Sequence, residues 1–217
     1  MTHITHHASK MCRIGLAMAD MTKDRILEAA TAIIRDAGPE GLTVEAAADM
    51  AGVSRKTVYN HFDGKFALID GAAAAWTSRT LVLLQQIADD GSLPFVEKLN
   101  AIVERGYAEL RNGGRMLGGK GGAAGPGFPK SLKATFRGFI ESIVSDAVDE
   151  GIVRREFDVP RLTFAIVNIV GGLTVLDGLE DEPFSKVDIL KDSLKALVGG
   201  ILTPEGALAM RGSPLFE

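Results

Sequence analysis

The sequence has one cysteine, Cys12, so no intrachain disulfide can form and a reducing cytoplasm is its natural setting. Histidine is almost as scarce. His3, His6, His7 and His61 are the full set, and beyond residue 61 the chain has neither His nor Cys. That removes the common nucleophile–base pairs and metal ligand sets from most of its length. Carboxylate chemistry at Asp146, Asp149 and Glu150 is the remaining enzymatic option, and a solvated helix end explains those three better. His3, His6, His7 and Cys12 resemble a ligand set only by composition, and they fall in 1–20, which has no usable periodicity and reads as a disordered leader. No catalytic residue, metal or cofactor is expected. A surplus of positive charge is also missing: the formal net charge is -4, so any contact with nucleic acid must rest on a local patch. Long apolar runs are absent too. The most apolar stretch, 162–176, is shorter than the roughly 20 residues a spanning helix needs and contains Asn168, so no membrane role is expected.

What the chain does have is core material, with 46% hydrophobic and 24% charged residues over 217 positions. That suits a small domain followed by a larger one. Apolar residues recur at helical spacing throughout. Ile26, Leu27, Ala30, Ile33, Ile34 and Ala37 place a first helix over 23–37, with Thr22 as N-cap and Gly38-Pro39 as its stop. Thr43 caps a second helix over 44–51. Gly52 then supplies a turn position that tolerates positive φ. Val53 plugs the angle, Ser54 caps a third helix over 55–61, and Val58 faces inward.

Arg55, Lys56, Thr57, Tyr59, Asn60 and His61 are left for the outer face of that third helix. Arg and Lys reach guanine edges or phosphates, Asn reads adenine, Thr meets a thymine methyl, and Tyr or His donates to phosphate. Gly64-Lys65 opens the next helix, whose unbonded N–H groups together with Lys65 form a phosphate clamp. The order and spacing of residues 51–62, A-G-V-S-R-K-T-V-Y-N-H-F, with T-K-D-R-I-L-E-A-A before and K-F-A-L-I after, resemble the DNA-binding domain of TetR-family transcriptional regulators. The resemblance implies that Thr43, Tyr59, His61 and Lys65 hold the DNA backbone while Arg55, Lys56, Thr57 and Asn60 face bases. Ser54 joins this set as the cap of the reading helix. Two positions depart from the pattern: Ala47, where a larger aliphatic residue is usual, and Phe66, where an acid is usual. Acids cluster before the turn and bases in and after it, so the expected patch is small.

From Phe66 onward the periodicity stays helical. Phe66, Ile69, Ala73 and Trp76 start a long linking helix; 90–94 breaks it; Phe95, Leu99, Ile102, Val103 and Leu110 mark the next. The glycine-rich stretch 113–127 contains G-x-x-x-x-G-K at 114–120, but Gly121 stands where a magnesium-binding Ser or Thr is needed, so it reads as a connector. Leu132, Phe136, Phe139, Ile140 and Ile143 mark another helix. A helix over 159–179, apolar nearly all round, and a last one over 184–202 complete the body.

The expected fold is therefore all-α: a three-helix helix-turn-helix DNA-binding domain at 21–66, with the motif at 43–62, and a larger helical effector-binding and dimerisation domain at 67–202, then a loose tail at 203–217. An apolar or aromatic effector would sit among Trp76, Tyr107, Met116, Phe128, Phe136, Phe139 and Phe164, with Asn168 and Tyr107 orienting it. Gly171, Gly172, Val175, Leu190, Leu194 and Val198 are the expected homodimer interface, in agreement with the pairing of the last two long helices in TetR-family proteins. The expected partners are a double-stranded DNA operator, a small-molecule effector and a second copy of the chain. The functional expectation is a regulator, by family analogy a repressor, released from a palindromic operator by its effector. An architectural DNA-binding protein without effector, and then an all-helical enzyme, are the alternatives.

Overall fold

The computed structural model describes the backbone of residues 3–117, 130–172, 179 and 181–216, and the side chains of 21–111, 133–172, 179 and 181–216. The described residues form nine helices: α1 (His3–Gly41), α2 (Val44–Ala51), α3 (Arg55–His61), α4 (Gly64–Ala88), α5 (Phe95–Leu117), α6 (Lys130–Asp149), α7 (Val159–Gly172), α8 (Lys186–Gly199) and α9 (Pro204–Ala209). Val153 and Leu202 form an isolated antiparallel bridge, the only strand-like pairing among these residues.

α1, α2 and α3 wrap around one core with the first half of α4. Ile26, Ile34, Leu42, Val58 and Leu68 have almost no exposed surface there, and Ala47, Ala48 and Ala72 fill the narrow gaps between helix axes. Burying an aliphatic side chain of this size contributes roughly 1.5–3 kcal/mol. α1 reaches back to His3 instead of beginning at Lys23, because residues 3–20 contain no proline and only one glycine to stop it, so Thr22 lies within the helix and not at its start. Its regular path breaks at Gly38, where φ is 74°, as the Gly38-Pro39 pair predicts.

α4 belongs to both halves of the molecule. Leu68, Ile69 and Ala72 are part of the first core, while Leu81 and Leu84 belong to a body core with Ile102, Phe136, Phe139 and Val167. Gly71 permits the close approach, since a Cβ there would lie 2.9 Å from both the Leu27 and Phe62 side chains. Phe66, within the first turn of α4, is 53% exposed. After α4, Asp90 turns the chain by accepting from the Ser92 N–H (2.9 Å) and hydroxyl (2.6 Å), and α5 returns along α4.

α5 continues through Gly113 and Gly114 to Leu117, while 118–127 lie outside the described residues. The cap of α7 is Asp158, whose carboxylate accepts from the Arg161 N–H at 3.0 Å. α8 begins at Lys186, not Phe184, because Ser185 and Asp188 form a reciprocal capping box.

The stretch expected as a loose tail is folded. Thr203 caps α9, its N–H bonds the Ile152 carbonyl at 3.0 Å and its hydroxyl the Gly151 carbonyl at 2.7 Å. Met210 and Leu215 are buried in a core with Val144, Leu162 and Ile201, and the buried Ser213 hydroxyl lies 2.6 Å from the Asn100 amide oxygen on α5. Two well-spaced apolar residues can anchor a short segment even where the helical pattern is too brief to read.

Candidate nucleic-acid interface and body cavity

The turn between α2 and α3 is set by backbone chemistry. Gly52 sits at φ 64°, ψ 41°, a left-handed conformation that ends α2 and costs glycine least. The Arg25 guanidinium bonds the last carbonyl of α2, Ala51, at 2.5 Å and so ties α1 to the turn. Ser54 starts α3: its hydroxyl accepts from the Thr57 N–H at 3.1 Å and lies 2.9 Å from the Thr57 hydroxyl. Thr43 does the same for α2, accepting from the Ala46 N–H at 3.0 Å. Each cap contributes about 1 kcal/mol. α2 and α3 therefore end where the sequence pattern places them, and Val58 alone of α3 is fully buried.

The outer face of α3 carries Arg55, Lys56, Tyr59 and Asn60 exposed, with Thr57 and His61 partly so. Tyr59 is 57% exposed, far more than packing would leave a tyrosine without another role. His61 closes the last turn, its ring tilted against Phe62. The face also carries a restraint absent from the sequence reading: the Arg55 guanidinium lies 3.3 Å from the Glu45 carboxylate on α2. Beside this face α4 starts without a side-chain cap; the Gly64 N–H donates to the Phe62 carbonyl at 2.9 Å, and the turn lies at the positive end of the helix dipole. The Lys65 ammonium donates to the Glu40 carbonyl at 3.1 Å. Thr43, Ser54, Arg55, Lys56, Thr57, Tyr59, Asn60, His61 and Lys65 thus all lie on α2, α3, their caps or the start of α4. Chemically this is a compact set of hydrogen-bond donors on a short protruding helix.

A cavity of about 220 Å³ lies in the body. α4 contributes Trp76, Thr77, Thr80, Leu81 and Leu84; α5 contributes Leu99, Ile102, Val103, Gly106, Tyr107, Glu109 and Leu110; α6 contributes Phe136, Phe139, Ile140 and Ile143. Met210 and Leu215 of the C-terminal segment also line it. Trp76, Tyr107, Phe136 and Phe139 are thus brought together as the sequence reading placed them. Phe164 and Asn168 are not. They lie on the outer face of α7, Phe164 62% exposed and the Asn168 amide donating to the Phe164 carbonyl at 2.7 Å. The Met116 side chain and Phe128 are outside the described residues.

The interface residues sort in the opposite sense. Leu190, Leu194 and Val198 face inward and line the cavity, with Leu190 2% exposed. Leu190 is closed off within the chain, while Leu194 and Val198 are partly exposed. Around Gly171 and Gly172 no described atom from beyond their own helical turn lies within 4 Å of where a Cβ would stand; Val175 is outside the described residues. The sequence reading also missed Thr77, Thr80 and Glu109 in the cavity wall. The spacing of Trp76, Thr77, Thr80, Leu81 and Leu84 is a helical stripe that identifies the two threonines as inward.

No group of three or more His, Cys, Asp or Glu residues among the described side chains could hold a metal. The side chains of His3, His6, His7 and Cys12 are outside that set. No described helix is long and apolar enough to cross a membrane.

Residues 26–72 match the family model described as "Bacterial regulatory proteins, tetR family". The chain is similar to the HTH-type transcriptional regulator UidR of Escherichia coli, with 26% identity over 192 residues that cover 85% of this chain and 95% of that protein. Its fold is similar to that of the transcriptional regulator FadR from Bacillus subtilis, solved in complex with stearoyl-CoA: TM-score 0.57 and 16% identity, covering 82% of this chain and 98% of the other. The same holds for SmeT, repressor of the Stenotrophomonas maltophilia multidrug efflux pump SmeDEF, with TM-score 0.57 and 17% identity, covering 84% and 91%.

Proposed function

We propose that this chain, a TetR-family transcriptional regulator, acts as a homodimeric repressor that leaves a palindromic operator when a small apolar or aromatic effector occupies the body cavity. The observation that carries the reading is the position of Trp76. Its side chain packs against the core that holds α3 and also lines the cavity, so a ligand pressing on Trp76 acts on the mount of the reading helix.

In the DNA-bound state α3 enters the major groove. Arg55, Lys56, Thr57 and Asn60 face base edges; Thr43, Tyr59, His61, Lys65 and the exposed start of α4 hold phosphates, and Ser54 keeps α3 in register. A dimer places two such helices one turn of DNA apart, about 34–36 Å, or a multiple of it. The two-fold interface runs over the outer face of α7, where Phe164, Asn168, Gly171 and Gly172 lie, with the partly exposed Leu194 and Val198 of α8 beside it, and Leu190 is too deeply buried to join it. An effector that fits the cavity better in a wider-spaced dimer draws population away from the DNA-competent one. The extent is set by its differential affinity alone.

The test is selection of bound duplexes from a random pool, followed by mobility-shift titration. A near-palindromic consensus, bound by a dimer and released by at least one small apolar compound, is the expected outcome. Equal affinity for unrelated duplexes would replace this reading with an architectural role.

A further inference from the structure

We propose that the cavity selects a neutral, mainly hydrocarbon effector that carries one hydrogen-bond-accepting carbonyl, and that the Tyr107 hydroxyl is the donor that recognises it. This rests on the cavity being the effector site.

The wall is hydrocarbon almost throughout, and at about 220 Å³ it exceeds the ~150 Å³ of an apolar protein cavity that takes up benzene. Three of the lining residues carry a hydroxyl: Thr77, Thr80 and Tyr107. Thr77 is satisfied within its own helix, donating to the Ala73 carbonyl at 2.8 Å. The Tyr107 and Thr80 hydroxyls are buried without a hydrogen-bond partner. Tyr107 is only 4% exposed, so bulk water does not reach it freely. An unpaired hydroxyl at that depth weakens the fold, and a ligand acceptor that pairs with it offsets the loss.

A hydroxyl that keeps its proton can donate it to a ligand acceptor. Burial pushes the Tyr107 hydroxyl up to about 12, so it is protonated at neutral pH and available as a donor. The charge of the ligand follows from the wall. Its one carboxylate, Glu109, is already paired with Arg105 at 2.7 Å, and no Lys or Arg is among the lining residues. The nearby Lys191 ammonium stands over the face of the Tyr107 ring, 5.3 Å from its centre, and not in the wall. An anionic ligand would therefore lose its hydration and gain no cation in exchange.

Calorimetric titration with three two-ring probes tests this: 1-tetralone, which has a carbonyl, tetralin, which lacks one, and 1-naphthoate, which is anionic. The protein should bind 1-tetralone about tenfold more tightly than tetralin, the worth of one buried hydrogen bond, and 1-naphthoate more weakly than either. Tyr107→Phe should abolish the preference for 1-tetralone while leaving tetralin affinity unchanged. Its unfolding temperature should not fall, since the lost hydroxyl had no partner. A preference that survives Tyr107→Phe, tightest binding of 1-naphthoate, or a drop of several degrees in unfolding temperature would each overturn the proposal and leave the effector cavity standing. Failure of all three probes to bind would overturn the cavity reading and this proposal together.

Discussion

The Arg55 guanidinium lies 3.3 Å from the Glu45 carboxylate, so one cation of the reading helix is held by the helix before it. Both side chains are about half exposed or more, and a pair of this kind contributes at most about 1 kcal/mol to stability. Its larger effect is on DNA, because Arg55 must exchange Glu45 for a base edge or a phosphate. Glu45→Gln should raise affinity for both operator and random duplex by up to about fivefold at low salt, with a change in unfolding temperature of no more than a few degrees. Mobility-shift titrations with both duplexes check it; an unchanged affinity would mean that Glu45 and DNA do not compete.

Tyr59 stands clear of the core, so Tyr59→Ala removes contact chemistry without opening a cavity. Operator binding should be lost, with dimer formation and unfolding temperature preserved. Sedimentation and a mobility shift on the same preparation separate the two, and retained affinity would show that α3 is not the reading helix.

Lys65 is expected to release the Glu40 carbonyl and take a phosphate on binding. Lys65→Ala should then reduce the magnitude of the slope of log affinity against log salt by roughly 1 per half-site, uniformly across sequences. An unaltered slope would leave Lys65 as a structural tie only.

Met210 is 1% exposed in the core that the C-terminal segment shares with α6, α7 and α8. Met210→Ala should cost about 2–5 kcal/mol of stability, read from denaturant midpoints. Because Met210 also lines the cavity, the same variant should alter effector affinity. Reading-helix contacts are remote from it, so DNA affinity at a temperature where the variant is folded should stay within a factor of about two.

The parts legible in the sequence were those fixed by local chemistry. Gly52, Ser54 and Val58 specify a turn, a cap and an inward position within seven residues, and the helices they bound follow at once. Trp76, Tyr107, Phe136 and Phe139 were legible as cavity candidates because large rings gather where helices converge. α7 and α8 were not resolved by the same logic. A helix that is apolar nearly all round does not reveal which face is taken by its own chain, so Phe164 is exposed and Leu190 lies in the cavity wall. The C-terminal segment left a signal that went unread: Thr203-Pro204 is an N-cap followed by proline at the first helical position. The Arg55–Glu45 pair depends on the angle between two helices, which spacing alone does not encode.

α4 is a wall of the cavity at Thr80 and part of the core beneath the reading helix at Leu68, about 18 Å away along one continuous helix. Such a helix transmits in both directions. If an effector weakens operator binding by some factor, the operator must weaken effector binding by the same factor. The DNA is then itself an antagonist of the small molecule. Copies of the protein on unrelated DNA or free in solution would load with effector first, and the operator-bound copy would be the last to respond.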